Sequence, residues 1–446
     1  MRRLVALAWR SIWRNRRRTI ITVVSISLAL ALSVFFIAFA NGMYAKMVDN
    51  AVRMQAGHMT IENVEYPDAP AIDLTVTDSG ELRKRVEGLP GVERTKALVM
   101  GQGVAKSGGG SVGVAVMGIE PAVEAVSSPL AKKLIAGSYL QDGDERKVIV
   151  GAELARRLKL GKKSEAVRIA SFFEPLLIQF GVRIDSLVED VRVRLAVGKK
   201  LVVSTNNIDG ELVEELVRVK GVFETGAVEV DAYIIQLPID FCRRLYGMSA
   251  RQSTQIGVLV KNADERDEIL EQVRGLVHDP RATVVPWEKV LPDLAAYIEV
   301  DGGSNIIFQG IFIFLILFII FNTILMSVLE RKREFAVLLA IGTPPARLKW
   351  QILIESAFVG LMGCFFGLGI GGVSAYLVQV YGIDISGLYS EGMSVSGFAV
   401  DTILHARLTP LLLAVMGSIV FCATLLISLY PMGQIKRIRL ADVLRG

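Results

Sequence analysis

The sequence predicts a membrane protein with four transmembrane α-helices and a large extracytoplasmic α+β domain inserted between the first and second. Three observations carry this. The chain of 446 residues is 52% hydrophobic with a mean hydropathy of +0.46, too apolar for an ordinary soluble protein. Four runs reach the roughly 20 apolar residues that a spanning helix needs. Between the first two runs lies a stretch, residues 41–305, in which charged residues and short apolar runs alternate.

Residues 1–18 form a basic N-terminus, and the first span follows at 19–40, "TIITVVSISLALALSVFFIAFA". That run is too long for a cleavable signal, and no small-residue cleavage site follows it. The second span is 306–329, the third 352–381 with Glu355 one turn inside its start, and the fourth 408–432. A loop at 330–351 joins spans two and three, a short external loop at 382–407 joins three and four, and 433–446 is a tail. Residues 1–18 hold seven arginines and no acid, 330–350 five basic residues and 433–446 four, whereas 382–407 hold only Arg407 against Asp384, Glu391 and Asp401. Because basic residues in short flanks stay inside, both termini and the 330–351 loop are expected in the cytoplasm, with the large domain outside.

Within 41–305 the spacing predicts helices over 79–89, 151–161 and 262–277, the last with Ile269, Leu270, Val273 and Leu276 on one face. It predicts strands over 147–151, 200–205, 215–223 and 232–237, with "NNIDGE" as a hairpin turn. Residues 41–56 and 287–304 read as helical stalks, able either to carry a motion or to act as passive spacers. Residues 162–199 look like an insertion that either adds to the core or presents a docking or membrane-interface surface.

Chemistry is sparse. "LGKKS" (160–164) has Arg156 where a phosphate loop needs its upstream glycine. "GGSVG" (109–113) matches a nucleophile elbow formally, but reads as a turn into a strand. "GLGIGG" (367–372) lies in a span, where glycine permits close helix packing. The three cysteines, Cys242, Cys364 and Cys422, lack metal-ligand spacing. No catalytic or metal site is expected. Glu355 is expected to reach interfacial water or to pair with Arg347 or Lys349, as a helix-start acid or a signalling group.

The order of a basic start, one span, a large external domain and three spans resembles the FtsX-like permeases of ABC transporters, the group that includes the MacB efflux protein and the lipoprotein-releasing Lol permeases. The resemblance rests on "AWRSIWRNRRRTIIT" (8–22), "VIVGAELARRLKLG" (148–161), "GVFETGAVEVDAYIIQLP" (221–238), "ERKREFAVLLAIGTPPARLKWQILIES" (330–356) and "YPMGQIKRIRLADVLRG" (430–446). "TPP" at 343–345 departs from the small polar residues usual in the family. The resemblance implies a non-catalytic permease subunit, paired with an identical or paralogous second subunit and bound to a cytoplasmic ATPase dimer. That ATPase would carry the ATP and Mg, with no cofactor on this chain. The cargo would be a lipoprotein or another lipophilic molecule, passed to a periplasmic carrier, with membrane lipid around the spans. An alternative is a signalling subunit that activates an external cell-wall hydrolase. No nucleic-acid partner is expected.

The resemblance also marks a periplasmic motif at Phe223, Glu224, Thr225 and Gly226. The 330–351 loop would be the coupling helix. Phe335, Leu338, Leu339 and Ile341 would supply apolar contact to an ATPase groove, ringed by Glu330, Arg331, Arg333 and Glu334, with Gly342 ending the helix. The competing reading is an interfacial helix held by its basic residues at the lipid surface.

Overall fold

The computed structural model describes residues 2–77, 80–160, 193–385, 394–395, 398–399 and 403–434. They form two compact units, one of Met1–Ala45, Ile298–Ser386 and Ile403–Gly446, the other of Lys46–Tyr297 and Gly387–Thr402.

The first unit is helical. Among the described residues, four helices are long and apolar enough to cross a membrane: Arg16–Met54, Pro292–Glu330, Pro345–Tyr381 and Pro410–Pro431. All four supply its core, through Ile26, Leu30 and Val34 of the first, Ile316 and Ile320 of the second, Cys364 of the third, and Met416 and Val420 of the fourth. Water-driven burial cannot hold helices together in lipid, so close backbone approach must. The third helix supplies it with Gly363, Gly367 and Gly371, one per turn along a single stripe. A Cβ at 367 would sit 3.0 Å from the Ser27 carbonyl oxygen, and one at 371 would sit 2.8 Å from the Ala31 Cα. Ser27 Oγ donates to the Gly363 carbonyl at 3.1 Å across this contact. The predicted packing role of "GLGIGG" is what the stripe performs, extended one turn upstream.

The helix ends differ from the sequence expectation where proline decides. Pro292 opens the second long helix after a break at Leu291, so the stretch 287–304 is a short helix, Trp287–Val290, and then the start of the long one. Likewise Pro345 opens the third long helix, seven residues before the expected start of the span. A proline in the first turn lacks only an N–H that would be unsatisfied anyway, so the "TPP" departure is a helix start.

The second unit is α+β. Its strands are β1 (Met59–Asn63), β2 (Val76–Thr77), β3 (Val92–Ser107), β4 (Gly110–Ile119), β5 (Leu134–Gly137), β6 (Lys147–Gly151), β7 (Lys200–Asn206), β8 (Leu212–Phe223), β9 (Ile234–Pro238), β10 (Gln252–Ser253), β11 (Gln255–Val260) and β12 (Ala282–Pro286). The main sheet runs β12-β1-β11-β3-β4-β9-β6-β8-β5, and β7 pairs with both β3 and β8. Strands β3, β4, β9, β6, β8 and β7 therefore close a barrel, while β12, β1, β11 and the first half of β3 form an open antiparallel sheet.

The 16-residue β3 belongs to both. Its first half pairs with β11 at 92–98, and its second half pairs with β7 at 104–106. At Gly103, where it crosses over, a Cβ would lie 2.9 Å from the Ser204 carbonyl oxygen of β7, so this position has room only for glycine. Each half has its own core. Val99, Val116, Val150, Val203 and Val219 fill the barrel. Val86 of the helix Gly80–Glu87, and Ile269, Leu270 and Val273 of the helix Arg266–Leu276, cover Met59, Ile61, Ile256 and Val258 of the sheet.

Both predicted turns form. "NNIDGE" joins β7 to β8, with Asn207 Oδ1 accepting from the Asp209 and Glu211 amides at 3.0 and 2.8 Å and Gly210 at a φ of 79°. The "GGSVG" serine, Ser111, lies in β4 just after the tight β3–β4 turn, inside a hairpin and not at a strand-to-helix elbow. The expected strand at 232–237 begins two residues later, because Val228–Tyr233 is a short helix. Of the suggested insertion at 162–199, residues 162–192 lie outside the described residues, and Val193 and Ala196 are buried in the barrel core.

Candidate functional site

The charged knot at 330–334 is built at one end of the helical unit, from three separate parts of the chain. The second long helix ends at Glu330, Arg331 breaks the helical run, and Lys332–Ala340 forms a new short helix. Arg331 is 9% exposed. Its guanidinium donates to both oxygens of Glu355 at 2.9 and 3.0 Å, to Ser11 Oγ at 2.7 Å and to Glu334 at 3.2 Å. Its Cζ also lies 4.9 Å from the centre of the Phe335 ring. Gln351 adds a hydrogen bond to Glu355 at 3.1 Å. The N-terminal arginines complete the set: Arg14 pairs with Glu334 at 2.8 Å, and Arg18 with Glu330 at 2.7 Å and Ser327 at 2.9 Å.

This geometry corrects two expectations. Glu355 pairs with Arg331 instead of Arg347 or Lys349, because the helix start at Pro345 sets its side chain toward the end of the second long helix. Phe335 is fully buried, packed with Val328, Leu348 and Ile352, and Leu338 and Leu339 lean on the same cluster. Those three therefore anchor the short helix to its own unit. Its exposed face carries Lys332, Arg333, Glu334, Val337 and Ala340, with Ile341 just beyond its end. Gly342 follows at a φ of 92° and reverses the chain, as its type requires.

The Phe223–Gly226 motif is likewise turned inward. Phe223 ends β8, fully buried. Asp231 Oδ1 accepts from the Thr225 amide at 2.9 Å and from Thr225 Oγ1 at 2.8 Å, while Oδ2 accepts from the Gly226 amide at 3.3 Å. Gly226 holds a φ of 90°. Burial pushes the Asp231 carboxyl up, and the three donors from Thr225 and Gly226 oppose it. Glu224 meets Arg156 at 3.0 Å. The stretches 148–161 and 221–238 thus clasp each other, which makes the motif a framework element of the barrel.

Sequence reasoning missed the part of Ser11, Arg14 and Arg18. One signal was available: seven arginines without an acid at 1–18 need partners, and Glu330 and Glu334 are the only acids at 330–350. Also missed were two buried titratable groups in the open sheet. Burial pushes the Glu62 carboxyl up from 4.5 to about 7, against a hydrogen bond from Gln255 at 2.6 Å. Burial pushes the His58 imidazole down from 6.5 to about 4. Since the folded Glu62 holds its proton more tightly than the unfolded one, its share of stability is present below pH 4.5 and is lost as pH rises toward about 7. The depressed His58 acts oppositely, its share being lost as pH falls from 6.5 toward about 4. Glu62→Gln is therefore expected to stabilise the protein at pH 8, by about 1–3 kcal/mol, and to leave it unchanged near pH 4. Thermal unfolding at a series of pH values reads this directly, and equal melting temperatures at pH 8 would contradict it.

Comparison with known proteins places these features in a lineage. The family described as MacB-like periplasmic core domain matches residues 19–276, and that described as FtsX-like permease C-terminal matches residues 306–440. The ABC transporter permease YtrF of Bacillus subtilis is 41% identical over 61 residues, 14% of each chain. The ABC transporter permease YknZ of the same organism is 27% identical over 184 residues, 39% of this chain and 44% of that one. The chain thus spans less than half the length of these curated relatives. Among solved structures, the periplasmic region of MacB from Actinobacillus actinomycetemcomitans covers 56% of this chain and 98% of its own, at 12% identity and a TM-score of 0.31. With one family matching well over half of the residues and a second matching the C-terminal helices, the chain belongs to the FtsX-like, MacB-type permeases of ABC transporters.

Proposed function

We propose that this chain is the permease subunit of a mechanotransmission-type ABC transporter, in which a separate cytoplasmic ATPase dimer drives movement of the α+β unit on the far side of the membrane. The observation that carries this is the short helix Lys332–Ala340. It stands between two apolar long helices, inside the FtsX-like match, with its inner face clamped by Phe335 and with Val337 and Ala340 exposed on its outer face. The ATPase would carry the ATP and Mg. A second permease subunit, identical or paralogous, completes the assembly. The distribution of arginine and lysine supports both termini in the cytoplasm, and the match to the FtsX-like and MacB-like families supports a bacterial inner-membrane location.

Lipoprotein release from the inner membrane is the cargo reading we favour, supported by the similarity of residues 221–238 to the Lol-type segment. The ATPase contact falls on Val337, Ala340 and Ile341, i, i+3 and i+4 neighbours on the exposed side. Val337→Asp with Ile341→Asp is expected to lower ATPase binding by tenfold or more, since hot-spot apolar anchors are worth about 2 kcal/mol each, without changing the melting temperature. Co-purification with the ATPase and its turnover in vesicles test this; undiminished coupling in the double variant would refute it.

A further inference from the structure

The N-terminal helix, Arg2–Arg14, has two faces with different tasks. Ala8 and Ile12 are buried, and Trp9 meets Phe358 of the third long helix edge-on at 5.4 Å. The other face leaves Leu7 53%, Trp9 44% and Trp13 37% exposed, the two indoles 5.9 Å apart. Arg10, Arg16 and Arg17 are exposed beside them and meet no acceptor among the described residues. Behind the helix lies a hollow of about 530 Å³ whose lining includes Leu7, Trp9, Arg10, Trp13 and Arg14.

We propose that this helix and its hollow bind anionic phospholipid. The headgroup phosphate is held by Arg10, in a field strengthened by Arg16 and Arg17, and the glycerol and upper acyl chain lie along Leu7, Trp9 and Trp13. Three features of the helix select lipid over other occupants. A single residue, Asn15, separates it from the first long helix, so it cannot leave the interface where that helix enters the bilayer. Indoles, apolar with one N–H, concentrate at that depth. Guanidinium groups without protein acceptors match phosphate in a bidentate fashion. The flank's seven arginines face no acid in 1–18, which suits the negative cytoplasmic leaflet. The site rests on the reading of the long helices as membrane-crossing and makes no use of the ATPase.

The test uses the full chain carrying Trp287→Phe and Trp350→Phe, which leaves Trp9 and Trp13 as its indoles. It is reconstituted in vesicles containing brominated phosphatidylglycerol or brominated phosphatidylcholine. Quenching is expected at a several-fold lower mole fraction of the phosphatidylglycerol. Arg10→Gln with Arg16→Gln and Arg17→Gln should abolish that preference, since each arginine near an anionic surface is worth about 1 kcal/mol, and 0.5 M salt should weaken it in the unsubstituted chain. Equal quenching by the two lipids, or a preference unchanged in the triple variant, overturns the proposal. So does a triple variant that keeps the lipid preference but loses ATPase capture, which would assign these arginines to an acidic protein face. Extraction of the chain from vesicles by alkaline carbonate would overturn the membrane reading itself, and is scored separately.

Discussion

Replacing Arg331 by leucine is expected to destabilise the helical unit by about 3–5 kcal/mol, the usual cost of stripping one partner from a buried ion pair. The substitution leaves the Glu355 carboxylate, 13% exposed, with only Gln351 as a partner from the knot. It also removes the bond to Ser11 that ties the N-terminal helix to the start of the short one. The loss would appear as a lower unfolding temperature in detergent micelles. Arg331→Leu with Glu355→Leu removes both charges and should recover most of it, because a well-packed apolar pair replaces a desolvated ionic one at little net cost. A double variant as unstable as the single would show that the ion pair is not the source of the effect. The double variant also separates two roles: recovered stability with impaired ATPase coupling would mark the knot as a positioning device for the short helix.

A comparable loss, about 3–5 kcal/mol, is expected from Lys96→Met in the α+β unit. Lys96 and Glu124 are each 1% exposed, 3.1 Å apart, and Lys96 also donates to the Arg53 carbonyl at 2.8 Å. Burial already pushes the Glu124 carboxyl up, and Lys96 is the chief opposing influence. Without it the carboxyl is pushed higher still, and the folded state favours the protonated form. Stability of the variant is therefore retained at acid pH and lost as pH rises. The deficit relative to the native protein should be smaller at acid than at alkaline pH. Lys96→Met with Glu124→Gln should restore most of the stability and flatten this dependence. A deficit independent of pH would contradict the assignment.

Much of the architecture was legible because it depends on local pattern. The apolar runs around Ile26 and Ile316 announce membrane-length helices by length alone. The spacing of Ile269, Leu270 and Val273 gives the helix over the sheet, and Asn207 with Gly210 gives the turn between β7 and β8. The closed barrel was not legible, because pairing between β3 and β7 joins residues about a hundred positions apart and no local pattern encodes it. The burial of the residues expected to meet an ATPase was not legible either. Phe335, Leu338 and Leu339 satisfy the i, i+3, i+4 rule equally well whether they grip a partner or their own unit. Only the packing of Phe335 on Leu348 and Ile352 decides between the two. The same holds for Glu224 and Thr225, whose partners Arg156 and Asp231 are set by the fold.

The strand β3 has a bearing on how the domain comes apart. The strand gives Val92 to one hydrophobic interior and Val99 and Ala105 to the other, so neither interior can open without disturbing a boundary of the other. The two lobes should therefore melt in a single cooperative transition, although each has a core large enough to suggest independence. Amides near Leu98 and Ala105, where the strand is paired on both sides, belong among the slowest of the described residues to exchange with solvent. A force applied at either end of this strand would be resisted by both lobes at once.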